Sequence, residues 1–156
     1  GERAIAASGC EHLIIRTSWL HAAWGKNFVR TIAGLCLARP QIKVVDDQIG
    51  RPTCCWHLAS ATLALVLRGA RGAFHITDAG PETSWHGFAR EIAGHVERRW
   101  GRMCEVAPCT TAEFPRPAQR PAYSVLDLSS AETLIGPRPD WRSGLAEVMA
   151  TIERPA

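Results

Sequence analysis

Apolar and polar positions alternate along the chain in a way that predicts short strands separated by amphipathic helices. Four short apolar runs are typical of buried strands, and they cover residues 13–16, 42–45, 73–76 and 103–106. Apolar residues three and four positions apart predict helices over 27–38, 85–96 and 141–152. Residues 56–67 are apolar almost all round, which predicts a deeply buried helix. Strands that alternate with helices indicate an α/β fold with parallel pairing.

The polar segments between these elements predict loops and one incomplete helix. Residues 46–53 combine polar side chains with glycine and proline, which predicts an irregular loop. Residues 107–124 are proline-rich and predict extended coil, because proline lacks a backbone donor and disrupts helix interiors. The first nine residues read as the end of a helix terminated by Gly9, with no N-cap before it. We therefore expect that helix to begin before Gly1.

Composition narrows the class of protein. A chain of 156 residues with 46% hydrophobic and 21% charged residues suits one globular domain or one lobe of a larger one. It contains no apolar stretch of about 20 residues and no signal-peptide pattern, so membrane insertion and secretion have no support. Its net charge of +3 comes from scattered arginines rather than a basic patch, which argues against a nucleic-acid partner.

Six cysteines raise the alternatives of disulfides and a metal site. None of them has the paired C-x-x-C spacing of a zinc site. The nearest approach to a metal cluster is Cys54-Cys55-Trp56-His57, but adjacent cysteines seldom chelate one ion. We therefore predict no metal site and interpret the cysteines as reduced thiols of a cytoplasmic protein.

The sequence lacks the motifs of a self-sufficient enzyme. It contains no G-x-G-x-x-G dinucleotide turn, no phosphate-binding P-loop and no G-x-S-x-G. Its one tyrosine, Tyr123, has no lysine four positions later. We therefore predict that no catalytic residue lies in this chain.

Four polar motifs follow one another at the ends of the predicted elements. They are R-T-S-W at 16–19, G-K-N-F at 25–28, D-Q-I-G-R-P-T at 47–53 and R-P-A-Y-S-V-L-D at 120–127. A Ser-Trp pair at 84–85 opens a helix between the last two. In this order the motifs resemble the dTDP-4-dehydrorhamnose reductase family, a branch of the extended short-chain dehydrogenase/reductases.

The resemblance implies a fold and an activity. It implies that residues 1–156 are the C-terminal part of a Rossmann-type parallel sheet with a small substrate-binding lobe. In this family the catalytic Tyr-x-x-x-Lys helix runs into a Gly-Glu pair, which Gly1 and Glu2 match. We therefore expect the catalytic pair and the cofactor-binding half to precede Gly1, and this chain alone to be inactive. The complete enzyme would reduce the C4 ketone of dTDP-4-dehydro-L-rhamnose with NADPH or NADH. The resemblance leaves open whether the full-length protein forms a homodimer.

The resemblance also implies roles for individual residues. It implies a substrate-binding role for Trp19, Asn27, Gln48, Arg51 and Arg120, and a cofactor-binding role for Thr17 and Ser18. The aromatic face of the tryptophan suits a 6-deoxyhexose, and a guanidinium suits a diphosphate.

Each role has a plainer structural alternative. Trp19 could be an ordinary core residue, and Asn27 could simply cap the helix that follows it. Thr17 and Ser18 could bond to a turning backbone. Arg120 could brace the proline-rich segment through an ion pair, and the glycine and proline of the 47–53 motif could serve to shape that loop.

Two positions depart from the family pattern. His21 stands where the family has a tyrosine, so ring packing near the sugar is expected to differ. Trp56 and His57 follow the Pro-Thr pair where some members carry an acidic residue, which leaves a magnesium-linked dimer contact unsupported.

Two rival interpretations remain. One is a non-catalytic binding subunit on the same fold, similar to the regulatory subunit of methionine adenosyltransferase. The other is a free-standing half-domain, which its exposed parallel edge and uncapped first helix disfavour. The presence of Tyr-x-x-x-Lys upstream would distinguish the enzyme from the binding subunit.

Overall fold

Two pairs of parallel strands organise the fold. In the computed structural model, which describes residues 1–114 and 118–155, β1 (Leu13–Arg16) pairs with β6 (Gly72–His75). In the same way, β3 (Gln41–Val45) pairs with β8 (Glu105–Cys109). Parallel strands require a long crossover, and both crossovers here contain helices. The predicted α/β architecture with parallel pairing is confirmed.

Two further pairs are only two residues long. Strand β2 (Leu20–His21) is parallel to β5 (Thr53–Cys54), and β4 (Ile49–Gly50) is antiparallel to β7 (Thr83–Ser84). The prediction of an irregular loop over residues 46–53 is therefore wrong in part. Two-residue strands are too short to show a period of two, so no sequence pattern reveals them.

Six α-helices and one 3₁₀ turn surround these strands in the described part of the chain. The helices are α1 (Glu2–Ala7), α2 (Phe28–Ala38), α3 (Cys55–Leu67), α4 (Trp85–Trp100), α5 (Ser129–Ile135) and α6 (Trp141–Thr151). The 3₁₀ turn covers Thr111–Glu113. No helix among these residues is long and apolar enough to span a bilayer.

Local chemistry sets the ends of the principal helices. The Ser84 hydroxyl accepts a hydrogen bond from the backbone N–H of Gly87 and so caps α4, while Asp140 caps α6. At the other end of α4, Gly101 adopts a left-handed conformation with φ of 67°. Helix α4 ends at Trp100, four residues beyond Val96, the last apolar position of the predicted three-four pattern.

The larger core lies between α2, α4 and α6 and the β3–β8 pair. Its buried side chains on α4 keep the predicted three-four spacing, and they are Phe88, Ala89, Ile92, Ala93 and Val96. Trp141, Leu145, Val148 and Met149 of α6 close the same core. These two helices confirm that the apolar periodicity marks the core-facing side.

A smaller core joins α3 and α5 to the β1–β6 pair. It contains Ala61, Leu65, Ala70, Ile76 and Ala131. Helix α3 is not buried all round, as the sequence predicted, since only two of its residues are buried. Its other side exposes Trp56, Leu63, Val66 and Leu67. Apolar composition does not indicate which side of a helix faces the core, and in the described part of the chain only one side of α3 is buried.

The segment after α4 corrects two expectations. The strand expected at 103–106 begins at Glu105, because Met103 is exposed, and it continues through Pro108 to Cys109. Among the described residues, β8 pairs only with β3. The other edge of β8 therefore needs no backbone N–H for strand pairing, and a proline is tolerated there. The coil predicted over 107–124 is therefore wrong where β8 and the 3₁₀ turn lie, and its prolines 115 and 117 fall outside the described residues.

The one-sided burial of α3 is testable with two matched leucines. Leu65 is 0% exposed and Leu67 is 77% exposed. We expect Leu65→Ala to lower the free energy of unfolding by about 2–5 kcal/mol, since it leaves a cavity. We expect Leu67→Ala to change it by no more than about 0.5 kcal/mol. Denaturant titration measures both, and equal losses would contradict the burial assigned to α3.

Candidate functional site

Two stacked indole rings form the centre of the candidate site. Trp19, which follows β1, and Trp85, the first residue of α4, have ring centroids 3.6 Å apart and planes 6° from parallel. The ring of Phe28, at the start of α2, lies 4.5 Å from that of Trp85. Three separate motifs therefore supply one aromatic cluster.

The backbone of Trp19 is strained. Its φ of 50° is the only positive φ outside glycine in the described residues. This conformation costs on the order of 1–3 kcal/mol and persists only where neighbours enforce it. The carbonyl of Trp19 accepts a hydrogen bond from the N–H of Thr53 at 3.2 Å, and its indole N–H donates to the Ser124 hydroxyl at 3.1 Å. These contacts and the stack fix the ring in place.

Gly50 leaves the space that the indole of Trp19 occupies. A Cβ at residue 50 would lie 2.5 Å from Cε2 of Trp19. The φ of Gly50 is not positive, so the position requires a small residue rather than a special backbone conformation. The expectation that Gly50 serves to shape its loop is refined, since its role here is to make room for the ring.

A cleft of about 280 Å³ opens beside the stack. It is lined by Trp19, Gln48, Trp85, Gln119, Arg120, Pro121 and Ser124. Aromatic carbon therefore lies next to amide and guanidinium groups. Arg120 is exposed and makes no hydrogen bond or ion pair with the described residues, so its donors are available to an anion.

The position of Gln48 is set by the 3₁₀ turn. Its side-chain amide donates to the hydroxyl of Thr111 at 2.9 Å. The neighbouring Asp47 carboxylate accepts from both the N–H and the hydroxyl of Thr111, which lowers the pKa of Asp47. These bonds hold Gln48 at the edge of the cleft.

Arg51 lies in a neighbouring cleft of about 570 Å³ rather than beside the indoles. Its guanidinium is 3.9 Å from the carboxylate of Glu82, and its Nε is buried without a partner among the described residues. Glu82 also accepts a hydrogen bond from the hydroxyl of Tyr123 at 2.6 Å, which raises the pKa of Tyr123. The structure thus groups Trp19 with Gln48 and Arg120, and places Arg51 with Tyr123 in the other cleft.

The side chain of Asn27 is fully engaged with its own chain. Its carbonyl oxygen accepts from the N–H of Arg30 at 3.2 Å, which caps α2. Its amide donates to the carbonyls of Ala22 at 2.9 Å and Trp24 at 3.0 Å. The cap accounts for the asparagine, and its contact with a substrate stays a prediction.

Thr17 and Ser18 lie where β1 ends. Thr17 is exposed, and the hydroxyl of Ser18 is buried with no partner among the described residues. The carbonyl of Ser18 accepts from the hydroxyl of Thr53 at 2.7 Å. Both residues therefore sit at the carboxyl edge of the strand, where α/β folds bind ligands.

The two positions that depart from the family pattern have aromatic neighbours. His21 is buried 5.4 Å from the ring of Phe88, and burial lowers its pKa to about 4. It is therefore a neutral aromatic in the core at pH 7. Trp56 is exposed and contacts the edge of Trp24, so this position offers aromatic carbon and no carboxylate to a magnesium ion.

One polar cluster has no counterpart in the motifs. Asp78, which lies three residues beyond the end of β6, is fully buried and accepts from the N–H of Cys54 and from His57. Burial raises the pKa of Asp78, and these hydrogen bonds oppose that shift. The sequence places Cys54 and His57 near each other but carries no signal that Asp78, more than 20 positions later, joins them.

Comparisons with known proteins agree with the motifs. Residues 1–154 match the family model described as the RmlD substrate binding domain. The chain is similar to the dTDP-4-dehydrorhamnose reductase of Burkholderia thailandensis, with 40% identity over 91% of this chain and 52% of the relative. It is also similar to a probable dTDP-4,6-dihydroxy-2-methyloxan-3-one 4-ketoreductase of Streptomyces antibioticus, with 38% identity over 97% and 51%.

A solved structure supports the same fold. The dTDP-4-dehydrorhamnose reductase of Bacillus anthracis, determined in complex with NADP, superposes with a TM-score of 0.86 at 32% identity. The match covers 96% of this chain and 52% of that structure. The chain therefore spans about half the length of the relatives it matches, and the predicted Rossmann-type α/β class is confirmed.

The dependence of the stack on Gly50 is testable by spectroscopy. Gly50→Ala would place a Cβ within the indole of Trp19, so we expect the ring to leave Trp85. The exciton signal of two parallel indoles in circular dichroism should then fall. The matched control is Gly34→Ala, whose added Cβ would make only an ordinary 3.5 Å contact with Pro155. An unchanged signal in Gly50→Ala would contradict this role of the glycine.

Proposed function

The chain belongs to the family of RmlD substrate-binding domains, and on that premise we propose that it binds the sugar nucleotide of a ketoreductase. The complete protein would reduce the C4 ketone of dTDP-4-dehydro-L-rhamnose to give dTDP-L-rhamnose, with NADPH or NADH as the reductant. Residues 1–156 would supply the substrate-binding part of that enzyme.

The observation that carries this proposal is the presence, in one cleft, of an aromatic wall and of an arginine that has no partner among the described residues. A 6-deoxyhexose has an apolar face, which suits the aromatic carbon of Trp19 and Trp85 that lines the cleft. A diphosphate carries oxygens that match the forked donors of Arg120. The cleft therefore offers complementary chemistry to two adjoining parts of one sugar nucleotide.

The reaction needs groups that this chain does not supply. When bound, the nicotinamide provides a hydride to the carbonyl carbon, and a tyrosine gives a proton to the oxygen, so a ketone becomes an alcohol. Tyr123 is unsuited to that proton transfer, because its hydrogen bond to the Glu82 carboxylate raises its pKa. We place both the acid and the cofactor-binding loop outside residues 1–156.

The residues of this chain would then position the substrate. Trp19 would orient the sugar and Arg120 would fix its diphosphate, with Gln48 at the rim of the same cleft. Ser18, whose buried hydroxyl at the end of β1 has no partner in the described part of the chain, would face the nicotinamide side. Such alignment of hydride donor and acceptor removes much of the barrier to reaction.

The finer features of the enzyme are also proposals. All six cysteines are free, which fits a reducing compartment, and we place the reaction in the cytoplasm. We expect the residues that choose between NADPH and NADH to lie outside residues 1–156, and a homodimer of the full-length protein stays a prediction. The position of Trp56 gives no support to a magnesium ion.

The role of Arg120 is testable by steady-state kinetics on the complete protein. Loss of a charge-assisted bond to phosphate costs about 1.5–3 kcal/mol, so we expect Arg120→Ala to raise KM for the sugar nucleotide about ten- to hundredfold. The KM for the nicotinamide cofactor should not change. The matched control is Arg102→Ala, since Arg102 is exposed and lines neither cleft.

Two outcomes would overturn the proposal. An unchanged KM in Arg120→Ala would remove Arg120 from the substrate site. Tight binding of the sugar nucleotide without any turnover by the complete protein would instead favour the non-catalytic binding subunit.

A second measurement separates binding from chemistry. Because residues 1–156 contain neither a dinucleotide loop nor a Tyr-x-x-x-Lys pair, we expect this chain alone to give no NADPH oxidation with the keto-sugar. The complete protein assayed in parallel is the control. Measurable turnover by the isolated chain would show that the reacting groups lie within it.

A further inference from the structure

Three side chains with metal-binding chemistry converge away from both clefts. Cys54 ends β5, His57 lies in the first turn of α3, and Glu147 projects from α6. One ligand atom of each, a sulfur, a ring nitrogen and a carboxylate oxygen, lies within 4.8 Å of the other two. Nε2 of His57 and Oε1 of Glu147 are 3.4 Å apart. None of the three residues lines either cleft.

We propose that Cys54, His57 and Glu147 bind a divalent cation of the zinc class. A tetrahedral zinc ion with bonds of about 2.0–2.3 Å holds its ligand atoms about 3.3–3.8 Å apart. The observed separations need to close by about 1 Å at most to reach that range. The Glu147 side chain is 56% exposed and is therefore free to make this adjustment.

A buried carboxylate forms hydrogen bonds that orient two of these ligand residues. Asp78 is 0% exposed, and its Oδ2 lies 3.0 Å from Nδ1 of His57, which leaves Nε2 directed toward Glu147. The same oxygen accepts from the N–H of Cys54 at 3.0 Å. Histidines that bind metals characteristically donate their other ring N–H to a carboxylate, which orients the ring and increases its basicity.

A close approach of α6 brings in the third ligand. Gly144 faces the cluster, and a Cβ there would lie 2.6 Å from Cβ of Cys54 and 3.1 Å from Cε1 of His57. Glu147 follows three residues later on the same side of the helix. The glycine therefore allows a residue 90 positions beyond His57 to complete the set.

The ligand set indicates which ion would bind. Thiolate and imidazole ligands favour zinc over magnesium, which prefers oxygen ligands throughout. Binding would release the Cys54 thiol proton to solvent, and water would take the fourth position. The neighbouring Cys55 is not required, which removes the objection that adjacent cysteines rarely share an ion. The ion would fasten α6 to the start of α3, independently of the proposed reductase activity.

Cobalt substitution tests the site directly. Complete protein, freed of metal with a chelator and kept reduced, is titrated with Co²⁺ and then with Zn²⁺. We expect one Co²⁺ per chain, a thiolate-to-cobalt charge-transfer band, tetrahedral d–d bands, loss of these bands when Zn²⁺ is added, and a raised Tm with Zn²⁺. Cys54→Ser, His57→Gln and Glu147→Gln should each weaken Co²⁺ binding at least about tenfold.

Two residues outside the ligand set serve as matched controls. Cys55→Ser and Glu153→Gln should bind Co²⁺ as the unaltered protein does, since neither belongs to the set. Binding without the thiolate band, no stoichiometric binding, or loss of binding in Cys55→Ser would overturn the assignment. Glu147 is exposed, so Glu147→Gln is expected to fold, and unaltered affinity in that variant would also overturn it.

Discussion

The stack of Trp19 on Trp85 is the contact on which the candidate site depends. Trp19 leaves the end of β1, which belongs to the smaller core, and Trp85 opens α4, which belongs to the larger one. Both indoles pack against the larger core, so the stack ties the loop that follows β1 to that core beside the cleft. The strain in the Trp19 backbone is sustained by this contact and by hydrogen bonds from Thr53 and to Ser124.

Sequence periodicity predicted those elements whose two sides differ in polarity. Helices α2, α4 and α6 carry apolar residues on one side, and the four longer strands are compact apolar runs, although β8 lies two residues later than expected. Helix α3 was misjudged because its exposed side is as apolar as its buried one. Helix α5 and the two-residue strands are too short to carry a period, so tertiary contacts alone define them.

The sequence motifs predicted which residues belong to the site better than they predicted how those residues are arranged. Trp19, Gln48 and Arg120 meet in one cleft, whereas Arg51 faces another. The sequence identified Trp85 only as a helix opener, since nothing local indicates that it stacks on a residue so far upstream. The contact of Asp78 with Cys54 and His57 depends on long-range packing, so no spacing along the chain could indicate it.

The space left by Gly50 couples two distant positions. The glycine is needed because the indole of residue 19 fills the volume that a methyl group would require, and not because the backbone there is unusual. In an alignment of related chains, positions 19 and 50 should therefore covary: a large aromatic at the first requires glycine at the second. In a chain with a small residue at position 19, the space beside position 50 would be empty, and residues larger than glycine could occupy position 50.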